Sequence, residues 1–279
     1  MRVLITGAAG LVGSALARTY GAESVALRHR DLDIIDANAV EETMQRVRPD
    51  VVFNCAVIGV DECESDPALA ERVNVIGPGQ LAASAERIGA RIVHFSTNYV
   101  FDGRRTTGIP YTVDDEPQPI NVYGKTKLHG ERAVTDAASR ALIIRTSWVF
   151  GHGKASFLST VADRLARGER VRAINDTFAS TTSVHDLVAR VIELGKRGHS
   201  GTYHVVNDGV CSHETFARET ARIVGASESL IENVREASHD RLAPRPRWTP
   251  MRCLLSERLG LAPLRPWQEA LREYVRAVD

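Results

Sequence analysis

Arg2-Val3-Leu4-Ile5-Thr6-Gly7-Ala8-Ala9-Gly10-Leu11-Val12-Gly13 runs from a short apolar stretch into a glycine turn and then into a helical pattern. The β-branched run reads as a doubly buried strand, and the glycines mark its junction with a helix. Gly7 permits a tight turn, Gly10 lets the backbone approach a pyrophosphate, and Gly13 allows the helix to pack closely on the strand. The three-residue spacing between glycines differs from the older Gly-x-Gly-x-x-Gly form. A strand, a glycine turn and a helix in that order predict a dinucleotide-binding unit at the start of the chain.

Outward from this turn the same alternation continues. Ser24–Leu27, Val51–Asn54, Arg91–Phe95 and Leu142–Arg145 are further short apolar runs, with helical segments near 11–20, 37–47, 67–88 and 121–138 between them. Strands alternating with helices predict an α/β fold, a Rossmann-like doubly wound parallel sheet whose ligands bind at the carboxyl ends of the strands. Beyond residue 150 the pattern loosens into helices near 154–168, 184–195, 213–224 and 267–277, with extra strands at 171–174 and 201–206. Pro244, Pro246, Pro250, Pro263 and Pro266 break the last third into short elements. The expected division is a nucleotide-binding domain over 1–149 and a smaller, mainly substrate-binding lobe over 150–279, with some segments of the latter returning to the first domain.

Composition excludes other classes. Thirty-five basic residues balance 35 acidic ones in 279, so no overall field attracts a nucleic acid backbone. Apolar runs such as Ala141–Ile144 fall short of the roughly 20 residues of a membrane span, and no signal peptide precedes Arg2, which predicts a cytoplasmic protein. The four cysteines, Cys55, Cys63, Cys211 and Cys253, have no metal-type spacing, so no metal site is expected.

Chemistry enters at Asn121-Val122-Tyr123-Gly124-Lys125-Thr126-Lys127. Residues four apart share a helix face, so the Lys127 ammonium is expected beside the Tyr123 phenol, lowering its pKa and readying it to protonate a carbonyl oxygen as hydride reaches the carbon. Thr97, at the end of a buried strand, is placed to hydrogen-bond the same oxygen, with Ser96 a neighbouring rival. At the second strand's end, where ribose hydroxyls are read, stand Arg28, His29 and Arg30. Arginines match a 2′-phosphate, which favours NADPH over NADH, while Asp33 is a candidate for the ribose or adenine.

These blocks resemble the extended short-chain dehydrogenase/reductases, and within them the dTDP-4-dehydrorhamnose reductase group. The resemblance rests on the glycine turn, Arg48–Ala56, Ser96–Gly103, Asn121–Lys127, Arg145–Gly151 and Ile174–Phe178. It implies NADPH-dependent reduction of the 4-keto group of a nucleoside-diphosphate 4-keto-6-deoxy sugar, with NADH the open alternative. Thr97, Tyr123 and Lys127 match the catalytic trio. The cofactor set expected is Gly7, Gly10, Leu11, Val12, Gly13, Arg28, Arg30, Asp33, Ala56 and Ser96, together with Tyr123 and Lys127. Asn98, Trp148 and Arg245 are expected at the substrate, Trp148 as an aromatic contact to the sugar and Arg245 near the diphosphate. Asn98 stands where the group usually carries aspartate, and Thr181 replaces a common proline. Two alternatives stay open: a nucleotide-sugar epimerase or dehydratase on the same fold, and a non-catalytic NADP-binding regulator resembling the methionine adenosyltransferase regulatory subunit. Neither membrane nor nucleic acid is expected as a partner, and a homodimer is left open.

Overall fold

The computed structural model describes residues 1–106, 108–254, 257 and 259–276. In chain order its strands are β1 (Val3–Thr6), β2 (Ser24–Ala26), β3 (Val51–Asn54), β4 (Arg91–Thr97), β5 (Leu142–Thr146), β6 (Val149–Phe150), β7 (Val171–Ile174), β8 (Phe178–Ala179), β9 (Thr182–Ser183), β10 (Gly201–His204), β11 (Ile231–Val234) and β12 (Trp248–Thr249). The helices are α1 (Leu11–Tyr20), α2 (Ala37–Val47), α3 (Val60–Ser65), α4 (Pro67–Glu71), α5 (Gly77–Arg87), α6 (Val122–Ala137), α7 (Phe157–Ala166), α8 (Val184–Lys196), α9 (His213–Val224) and α10 (Trp267–Arg276). Six strands form one parallel sheet in the order β10-β5-β4-β3-β1-β2.

Strand alternation explains the layering. Val3, Ile5, Phe53, Val93, Leu142 and Ile144 point to one face, where Leu16 of α1 and Val184, Leu187 and Val191 of α8 cover them. Leu4, Val52, Ile92 and Ile143 point to the other, against Val40 and Met44 of α2, Leu81 of α5 and Val134 of α6. A separate cluster around Phe150, Phe216 and Trp267 joins α7, α9 and α10.

Several boundaries differ from expectation for local reasons. The helix expected from 154 begins at Phe157, because the Ser156 side chain accepts the Ser159 N–H and caps it there. The segment expected as one helix over 67–88 is interrupted by a π-helical turn at Arg72–Ile76. Ala277, at the end of the last expected helix, lies outside the described residues.

β1 pairs with β2 on one side and β3 on the other, so the strand order reverses at the carboxyl end of β1 and opens a crevice there. Gly7 turns the chain at this point with φ of +64°, and a β-carbon on it would lie 2.5 Å from the Cys55 carbonyl carbon and oxygen. Gly7→Ala is therefore expected to lower stability by about 1–3 kcal/mol, as overpacking does, read as a lower urea midpoint. An unchanged midpoint would show that the β1/β3 junction yields.

Candidate active site

Two caps aim the candidate reactive residues. Thr97 ends β4, where its Oγ1 accepts the Tyr99 N–H at 3.1 Å. Asn121 opens α6 by accepting the Gly124 N–H at 2.7 Å, so Tyr123 falls in the first turn and Lys127 one turn later. A β-carbon on Gly124 would lie only 2.1 Å from the Tyr99 carbonyl oxygen, which shows how closely α6 rests on the turn after β4. The Thr97 hydroxyl donates to Asn98 Oδ1 at 3.2 Å and lies close enough to the Tyr123 phenol to pull its pKa down, while the Tyr123 ring meets Tyr99 edge to face at 5.8 Å.

The electrostatics differ from the expectation. Burial pushes the Tyr123 phenol well above its ordinary value, against a smaller downward pull from Thr97. Lys127 does not lower it, because the ammonium turns toward β4, donating to the Phe95 carbonyl at 2.6 Å and lying 3.2 Å from His94 Nε2. Burial lowers Lys127 itself from 10.5 to about 8, against an upward pull from Glu131. The phenol is thus held as a protonated acid.

Three cavities surround this group. One, of about 450 Å³, is lined by Gly7, Gly10, His29, Asp33, Ala56 and Lys154 among others. A second, of about 280 Å³, adjoins it and is bounded by Gly10, Leu11, Val12, Gly13, Ala56, Ser96, Tyr123, Lys127 and Lys154. Most of the expected cofactor residues therefore meet in one crevice. Arg28 and Arg30 do not line it. Both are exposed, and Arg30 lies 3.7 Å from Asp31; His29, between them, faces the cavity instead. Ser96 lines the crevice but donates its hydroxyl to Glu131.

The third cavity, of about 320 Å³, is lined by Asp61, Tyr99, Trp148, His213, Glu236, Arg241 and Arg245 among others, and the Tyr99–Tyr123 ring pair separates it from the second. Arg245 is clamped by Asp61, with nitrogen–oxygen distances of 2.9 and 2.6 Å. Trp148 holds a left-handed backbone, φ of +38°, and packs on His213 at 4.1 Å. Asn98 lies outside this lining; its amide donates to Thr249 Oγ1 at 2.7 Å. Sequence reasoning missed His94, Lys154, His213 and Arg241. Of these only His94 left a signal, as a histidine within the apolar run Ile92–Phe95.

A parallel dinucleotide-type sheet with a threonine, a tyrosine and a buried lysine at its carboxyl edge defines an oxidoreductase of the short-chain dehydrogenase/reductase class. All of residues 1–279 match the RmlD substrate binding domain family, and the chain belongs to this family of dTDP-4-dehydrorhamnose reductases. It is 40% identical to the dTDP-4-dehydrorhamnose reductase of Mycolicibacterium smegmatis over 99% of this chain and 86% of that one. The crystal structure of a dTDP-4-dehydrorhamnose reductase from Clostridium acetobutylicum superposes with a TM-score of 0.93 at 34% identity, covering 100% and 99% of the two chains. That of Bacillus anthracis, solved in complex with NADP, gives 0.93 at 31% identity over 99% of each.

Proposed function

We propose that the protein reduces the 4-keto group of a nucleoside-diphosphate 4-keto-6-deoxy sugar with NADPH. The observation that carries this reading is Tyr123 lining the cavity bounded by the glycine turn while its ring partner Tyr99 lines the one with Trp148 and two arginines. The crevice fits the cofactor. Gly10 caps α1 without any side-chain cap, leaving backbone N–H groups at a helix N-terminus for a diphosphate. A β-carbon on Gly13 would lie 2.5 Å from the Gly7 oxygen, so the turn needs glycine to keep that shape. Asp33 and His29 face the adenosine end, and Lys154 lines both halves.

NADPH supplies the hydride. Tyr123, kept protonated by burial, delivers the proton to the ketone oxygen, and Thr97 hydrogen-bonds that oxygen as charge develops on it. Trp148 covers the sugar, and the 150–279 region, apart from α8 and β10, forms the substrate lobe. Arg245 and Arg241 supply positive charge for the diphosphate. Arg245→Ala is expected to raise KM for a dTDP-4-keto sugar several-fold with a smaller change in kcat, because a diphosphate is held alike in ground and transition states. Steady-state kinetics check this, and an unchanged KM removes Arg245 from the site.

The reading as a whole is tested by following NADPH absorbance with a panel of nucleotide 4-keto sugars. Stoichiometric loss of NADPH is expected. An epimerase returns its hydride and shows no net loss, and a regulator shows NADPH binding with no turnover.

A further inference from the structure

Behind Lys127 a line of buried polar groups crosses the sheet through Thr6 of β1, Asn54 of β3, His94 of β4 and Lys127 of α6, each at most 2% exposed. Asn54 Oδ1 receives the Ala56 N–H at 3.2 Å and the Thr6 hydroxyl at 2.8 Å. Asn54 Nδ2 lies 3.0 Å from His94 Nδ1, and His94 Nε2 lies 3.2 Å from Lys127 Nζ. A backbone N–H can only donate, so it fixes which end of the Asn54 amide is oxygen. The Nδ2 group must then donate to His94 Nδ1, and a neutral imidazole accepting at Nδ1 carries its proton on Nε2.

We propose that His94 is a positioning residue that presents its Nε2–H to the Lys127 amine and so favours the neutral amine over the ammonium in the cofactor-free enzyme. A protonated Lys127 would turn an N–H donor toward the His94 N–H. Relief requires moving the histidine proton to Nδ1, which in turn requires the Asn54 amide to flip and face its NH₂ toward the Ala56 N–H. The charge on Lys127 is thereby tied to the backbone of Ala56, a residue that lines both halves of the cofactor crevice.

The surroundings agree. Among the described residues the titratable groups acting on Lys127 are Glu131 of its own helix, Cys55 beyond β3, Cys63 of α3 and His94 of β4. Both thiols are pushed up by burial and stay protonated. His94 is held well below its ordinary value by burial and by Lys127, and stays neutral.

The inference uses the reductase reading only to name Lys127 as part of the site, so its test requires no turnover. In the full-length chain, ¹⁵N spectra are expected to show His94 neutral from pH 6 to 9, as the Nε2–H tautomer above the Lys127 midpoint near 8 and shifting toward Nδ1–H below it as Lys127 takes up its proton. Asn54→Asp offers a carboxylate that only accepts. It is expected to move the His94 proton to Nδ1 and to raise the Lys127 midpoint by at least one pH unit. A charge acting merely through space would leave the proton on Nε2 and overturn the proposal. So would an Nδ1–H tautomer above the Lys127 midpoint, a tautomer that does not change as Lys127 titrates, or an imidazolium in the parent protein, a reading that stands even if the variant does not fold.

Discussion

Tyr123→Phe will lower turnover by about 10²–10⁴, the range for losing a general acid, while leaving NADPH affinity and the unfolding midpoint near those of the parent. The substitution keeps the ring, its burial and its edge contact with Tyr99. It removes only the hydroxyl, whose pKa Thr97 pulls down. Because burial raises the phenol's pKa, its proton is present throughout the neutral range, so Tyr123 itself imposes no alkaline loss of activity there. Reduction at nearly the parent rate would assign the proton to another group.

Glu131→Leu is expected to destabilise the fold by about 3–5 kcal/mol, the range for stranding one half of a buried ion pair. Arg145 reaches Glu131 with two nitrogens at 2.9 and 2.7 Å, and the two side chains are 7% and 6% exposed. With Glu131 gone, Arg145 keeps its charge inside the protein and Ser96 loses its acceptor. The double variant Glu131→Leu/Arg145→Met should recover much of the loss, since it leaves no unpaired charge. Urea unfolding of the two proteins checks this, and a double variant as unstable as the single one would refute the pairing as the cause.

The strands and the glycine turn were legible because their signals are local. A run such as Leu142–Ile144 is apolar at every position, as a strand covered on both faces must be. Helix boundaries were legible to within a few residues except where a cap or a π turn decided them, as at Ser156 and Arg72–Ile76. Spacing correctly put Tyr123 and Lys127 on one helix but gave no access to the lysine rotamer. That is set by the Phe95 carbonyl and His94, more than 30 residues earlier in the chain. For the same reason Arg28 and Arg30 looked apt as charges, whereas the direction of each side chain at the end of β2 turns His29 toward the crevice. Short strands such as β8, β9 and β12 offer two residues each, too few for any periodicity to register.

Residues 243–251 are held from many sides. Ala243 and Arg245 are bound to Asp61, the Pro244 carbonyl to Asn121, and Thr249 to Asn98. Phe178 donates to the Arg247 carbonyl and Trp248 to that of Gly103. Such a strap is not a modular part. Grafting it from a relative to transfer sugar preference would import a segment whose partners lie in four distant stretches of the host, so a working chimera has to exchange Asp61, Asn98 and Asn121 together with it.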